Sequence, residues 1–177
     1  MTDRATISIE NISSSFRSQY LSSLQMLHNI IEITPDNLWN NKNHISRSWQ
    51  VAYHALYYYR LYICQDLQQH VPWEKHKEGA QDLHPNKESL SPYAREQLLT
   101  LIRLCIANLD SDLSQLDLSA AQSGFPWYKI SKLEHQLVNL RHLQHHVAQL
   151  QDRLRNEKQM GIGWIRSEGH LTRLQSE

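Results

Sequence analysis

Apolar residues recur at steps of three and four through four long stretches of this chain, a period that fits α-helices and not strands. The first stretch, about Ile9 to Ile33, carries Ile12, Phe16, Tyr20, Leu24, Leu27 and Ile31 on one face. Thr34-Pro35-Asp36 then supplies a capping residue and a proline, enough to end that helix and start a short turn through Trp39. A second helix is expected from about Ile45 to Gln69. A third starts at Ser91-Pro92 and carries Leu98, Ile102, Cys105, Leu109, Leu113 and Leu116. The fourth opens on Ser131-Lys132-Leu133-Glu134, a capping-box pattern. Its stripe is Leu133, Leu137, Leu140, Leu143, Val147, Leu150 and Leu154, ending before Gly161. The five glycines and five prolines fall mainly at the breaks, as in Ser123-Gly124-Phe125-Pro126.

No strand-like alternation and no internal repeat interrupts this pattern, so the expected fold is all-α, a four-helix bundle. Residues 70 to 90 form the longest connection, between the second and third helices, and loops of this length serve as lids or binding segments or are simply mobile. The bundle is expected over residues 1–160. Residues 161–177 remain as a C-terminal tail, either a short element around Trp164 and Ile165 or a frayed end.

Charge narrows the partners. Eighteen basic residues balance eighteen acidic ones, so no global field favours nucleic acid or an anionic membrane. No apolar run approaches the roughly 18–20 residues of a membrane helix. The first residues lack the apolar segment of a secretory signal, and Cys64 and Cys105 sit in helical runs as reduced, packed thiols. A cytoplasmic location is the expectation.

Eleven histidines are the compositional oddity. In Arg141-His142-Leu143-Gln144-His145-His146, His142 and His146 are one helical turn apart, about 40° around the axis and about 6 Å along it. Both imidazoles can lean toward one metal ion, for which bonds of about 2.0–2.1 Å require closely converging nitrogens. His145 offers a competing i, i+3 pair with His142; His146 is favoured because i, i+4 matches the helical face better. A third ligand must come from another helix, and the best candidate is His54, in the nearly all-apolar run from Trp49 to Leu61. Three neutral imidazoles would leave a coordination position open for water or substrate, the catalytic type of site, and such an ion lowers the pKa of bound water or thiol. An all-histidine shell suits zinc, nickel, iron or copper and rejects magnesium or calcium.

His135, Asn139, His142, His146 and Gln149 lie along one strip of the fourth helix, about 110° from the centre of its leucine stripe. That places the strip on a flank of the core, either lining a groove or facing solvent. His135 is about 10.5 Å from His142 along the axis, too far to share an ion. With Asn139 and Tyr57 it is a candidate pocket residue, Tyr57 being one of three consecutive tyrosines whose hydroxyls could orient a substrate.

These residues together resemble the DinB-like (YfiT-like) metalloprotein family. The resemblance rests on Trp49 and His54 in the second helix, on His142-x-x-x-His146 followed by Ala148-Gln149-Leu150 in the fourth, and on the placement of Pro35 to Trp39. It covers about residues 10 to 155; residues 161 to 177 have no counterpart, and the family pattern has glycine where Ala148 stands. It implies a four-helix bundle with a divalent metal, zinc, nickel or iron, on His54, His142 and His146. It further implies a homodimer and a thiol-transferase or hydrolase activity on a small-molecule substrate, with a low-molecular-weight thiol as co-substrate in the transferase case. The rival reading is a metal-free helical interaction module whose histidines decorate a face.

Overall fold

The structure, a computed structural model, describes residues 8–83 and 90–170. Its long helices are α1 (Ile9–Ile33), α3 (Ser48–Tyr62), α4 (Arg95–Ser114) and α5 (Lys132–Lys158), with the single-turn α2 (Asp36–Trp39) and a 3-10 turn at Leu67–Gln69 between them. No strand occurs among the described residues, whose regular elements are all helical. α1 packs on α4 and α5, and α3 packs on the same two helices, so the four long helices enclose one core. Among the described residues no helix is long and apolar enough to cross a membrane.

The expected periods place the core correctly on α1 and α4. Tyr20, Leu24, Leu27 and Ile31 are buried on α1, and Leu98, Ile102, Cys105 and Leu109 on α4. Burying one such leucine or isoleucine side chain is worth roughly 1.5–3 kcal/mol, so these stripes decide which way each helix faces. Ser8 caps α1 through its hydroxyl, which accepts from the Asn11 amide at 3.2 Å. Thr34 acts on the helix behind it: its hydroxyl donates to the Ile30 carbonyl at 2.6 Å, so it closes α1 and gives α2 no side-chain cap.

α3 is shorter than the expected span at both ends. It begins at Ser48, where the Gln50 side-chain oxygen accepts the Arg47 amide at 2.8 Å, while Ile45 stays outside and is 79% exposed. It ends at Tyr62, and the following backbone is claimed by a local cap and by a distant segment. Asp66 accepts the Gln68 and Gln69 amides, and Leu67 donates to the Gly124 carbonyl at 3.3 Å. Gly124 has φ +83°, and its bare α-carbon lies against Gln65 and Asp66 where no side chain fits. α4 likewise begins at Arg95, past the expected Ser91-Pro92 start, with the Gln97 side chain accepting the Ala94 amide at 2.9 Å.

α5 departs most from its sequence pattern. In its first half the leucines lie at the margin, with Leu137 55% exposed, and the buried face is Lys132, His135, Gln136 and Asn139, all fully covered. These polar groups are inside because they meet the end of α3. The last carbonyls of a helix lack a partner within it, and one that already has a backbone donor, as Tyr59 has in the Ile63 amide at 3.0 Å, can still take a second on its other lone pair. Asn139 donates to the Tyr59 carbonyl at 3.3 Å, Gln136 to that of Tyr62 at 2.8 Å, and the Lys132 ammonium to that of Cys64 at 3.1 Å. Gln136 also accepts from the buried Tyr20 hydroxyl at 2.9 Å. From His142 onward the face turns apolar again through Leu143, Val147, Leu150 and Leu154.

The long connection after α3 is only partly a surface loop. Trp73 and Ala80 are buried, and the Leu83 carbonyl accepts from Ser46 at 3.0 Å; residues 84–89 of the expected loop lie outside the described residues. After α5 the chain folds back on α1, burying Ile165 and leaving Trp164 60% exposed. Gln19 donates to the Arg166 carbonyl at 3.2 Å, and Arg17 pairs with Glu168. Residues 171–177 of the expected tail lie outside the described residues.

Candidate metal centre

α3 and α5 run antiparallel, and the carbonyl-capping contacts fix their register: Tyr62 opposite Gln136, Tyr59 opposite Asn139. Two turns further along, that register sets His54 against the interval between His142 and His146. The result is a cluster in which one nitrogen from each of the three histidines lies within 4.8 Å of the others. His142 Nε2 is 3.1 Å from His54 Nε2 and 3.2 Å from His146 Nε2. Bonds of about 2.0–2.1 Å at a tetrahedral angle would separate two ligand nitrogens by about 3.3 Å, and at a right angle by about 2.9 Å. The two measured separations fall between those values, so the nitrogens need little movement to share one ion.

The outer nitrogens show which way the rings are held. His54 Nδ1 donates to the Gln81 carbonyl at 2.5 Å, and His146 Nδ1 donates to the Gln149 side-chain oxygen at 3.0 Å. A carbonyl can only accept, so the proton of His54 sits on Nδ1 and its Nε2 carries a free lone pair; Gln149 does the same for His146 when its oxygen faces the ring. This is the outer-shell arrangement of metal-binding histidines. The His142 Nδ1 is buried without a protein partner, so in the metal-free protein its Nε2 proton can be shared between the other two rings.

Burial holds all three rings neutral. It pushes His142 down to about 3 and His146 to about 4, helped in each by neighbouring imidazoles, and it lowers His54 while the Gln81 carbonyl opposes. Neutral imidazole is the ligating form, so at neutral pH these nitrogens are ready to coordinate. His145, the competing candidate, is exposed with its ring against His146, and it is not among the three converging residues.

Of the candidate pocket residues, Asn139 is fully buried on the Tyr59 carbonyl. His135 is fully buried among the rings of Tyr62, Phe125 and Tyr128 at 4.8–5.0 Å between centroids. Its pKa falls to about 4 through burial and then the Lys132 charge. Tyr57 is half-buried and packs on Tyr58, His70 and His76. The tyrosine that covers the histidines is Tyr58, its ring centroid 4.7 Å from that of His54 and 5.5 Å from that of His142. Its spacing of four from His54 was the available signal. Gln81, by contrast, is 27 positions from the ring it orients and carries no local signature.

No protein-family model, curated protein or solved structure matches the chain. The three-histidine cluster therefore stands on its own chemistry. It is a neutral, nitrogen-only donor set, with His146 buried and His54 and His142 half-buried, that could hold a divalent transition metal.

Proposed function

We propose that this chain is a divalent-metal-binding helical bundle of DinB-like, four-helix type, working as a thiol-transferase or hydrolase on a small molecule. The observation that carries the reading is the convergence of His54, His142 and His146 Nε2, with two of the rings oriented from behind by Gln81 and Gln149. His54, His142 and His146 would hold zinc, nickel or iron. Such an ion on three neutral imidazoles keeps coordination positions open and supplies the Lewis acidity that makes a thiol or water nucleophilic near neutral pH. Tyr58 shields one side of the cluster, and the half-buried setting strengthens the electrostatic contacts made there. A homodimer acting in the cytoplasm, with a low-molecular-weight thiol as co-substrate in the transferase case, completes the proposal.

The test is elemental analysis of tag-free protein, before and after reconstitution with zinc, nickel and iron, beside the His142→Ala variant. About one ion per chain, falling to background in the variant, supports the reading and selects the metal for thiol-transfer and hydrolysis screens. No bound metal after any reconstitution refutes it and leaves a helical interaction module.

A further inference from the structure

Tyr53 and Tyr57 lie one turn apart on α3, as do His54 and Tyr58, and the two pairs are offset by about 100° around the axis. The first pair faces the connection after α3; the second faces α5 and the histidine cluster. The connection crosses between these faces. On the first, the Tyr53 hydroxyl is 2.6 Å from His76 Nδ1, and the His76 ring stacks on Tyr57 at 5.4 Å and 29°. Five residues later, on the second, the Gln81 carbonyl receives the His54 Nδ1 proton at 2.5 Å.

Those five residues have little freedom. Backbone hydrogen bonds close three successive turns, His76 to Trp73 at 2.8 Å, Ala80 to Lys77 at 2.9 Å and Asp82 to Gly79 at 3.2 Å. Gly79 takes φ +79°, a left-handed conformation suited to glycine. Ala80 is fully buried, and the Tyr93 hydroxyl ties the segment from the other side, accepting the Lys77 amide at 2.9 Å and donating to the Lys75 carbonyl at 2.8 Å. A segment wound this tightly transmits the position of His76 to the carbonyl of Gln81.

We infer that His76, hydrogen-bonded to Tyr53, is a positioning residue for the metal centre: it anchors the segment that holds the Gln81 carbonyl on His54, and so fixes which His54 nitrogen is free to bind. The Tyr53 hydroxyl and His76 Nδ1 share one hydrogen bond, and His76 Nε2 lies 3.8 Å from the Glu78 carboxylate. His76 touches no ion and no substrate in this role. The inference rests on the metal-binding reading for its consequence, but the orientation of His54 can be measured without metal.

The test uses the full chain with Tyr53→Phe and His76→Phe, each of which keeps an aromatic ring and removes the hydrogen bond. Zinc affinity is read by competition with a chromophoric chelator. The His54 tautomer is read in the metal-free protein by long-range nitrogen–proton NMR of the imidazoles. Each variant should bind zinc about 10-fold or more weaker, since outer-shell partners of ligating histidines are typically worth about 10–100-fold. Each should also lose the pure Nδ1-protonated form of His54, and the double variant should be no worse than either single one. Leu113→Ala, which cuts a buried side chain at the far end of α4, should change neither readout and so separates positioning from general loss of stability. Unchanged zinc affinity and an unchanged His54 tautomer in both phenylalanine variants would overturn the inference while leaving the metal site standing. A shifted tautomer in a protein whose parent binds no zinc would support the positioning role and refute the metal reading.

Discussion

Chelation should lower the melting temperature of this protein, and the His142→Ala variant should be blind to it. A ligand that binds only the folded chain stabilises it by RT ln(1 + [L]/Kd), about 2.7 kcal/mol when free zinc is about 100 times its Kd. The structure supports binding to the folded chain alone, because the cluster exists only when α3 and α5 are docked, with His54 separated from His142 by 88 positions. For a chain of 177 residues, each kcal/mol moves the midpoint by about 2–4 °C, so saturating zinc should raise it by about 5–11 °C over the chelated protein. His142 contributes the nitrogen that lies near both others, and without it two imidazoles remain, too few for a site of this kind. Metal-free, the variant should lose no more than the roughly 0.5–3 kcal/mol of an ordinary substitution. The assay is a pair of thermal melts by circular dichroism for each protein, with chelator and with zinc buffered at a known free concentration. Two results would refute the reasoning: a parent protein whose midpoint ignores zinc, or a zinc shift that survives in His142→Ala at full size.

Two further expectations concern the frame around the site. Burial pulls the Lys132 pKa from 10.5 to about 8, so the unfolded chain binds more protons than the folded one between those values, and stability from this group rises as pH climbs through them. Lys132→Met has no such proton, so its stability relative to the parent should fall by about 2 kcal/mol between pH 7.5 and 9.5, at about 1.4 kcal/mol per pH unit above 8; paired urea titrations check it, and a constant difference would count against the buried ammonium. Gly124→Ala should destabilise by about 2–4 kcal/mol, because its φ of +83° disfavours a side chain and the added carbon would collide with the Gln65 carbonyl. A loss under about 0.5 kcal/mol in the same titration would show that the junction yields.

What the sequence discloses here follows from how local each cause is. α1 is legible because its apolar stripe is its own, and the start of α5 because Ser131 accepts the Glu134 amide within one turn, at 3.2 Å. The pairing of His142 with His146 is legible for the same reason, and His54 because it is a histidine in an otherwise apolar helix. The end of α3 is different. Between Tyr62 and Gln69 the one local cause is Asp66, which caps the next turn; Gly124 and the side chains of Lys132, Gln136 and Asn139 act from more than 50 positions away. Those same contacts explain why a strip read from periodicity as a flank of the core is its buried face over the first half of α5. An amphipathic pattern assigns polar residues outward because it assumes an apolar neighbour, whereas the neighbour here is a helix terminus whose carbonyls accept side-chain donors. The register of α3 on α5 is therefore set by hydrogen bonds that point one way only, from α5 donors to α3 acceptors. An antiparallel pair held by apolar packing alone could slip by a turn at modest cost. Slipping this pair would leave buried amides and carbonyls unpaired, at roughly 1–3 kcal/mol each. The polar contacts that conceal the fold from its sequence pattern are thus also what keeps His54 between His142 and His146.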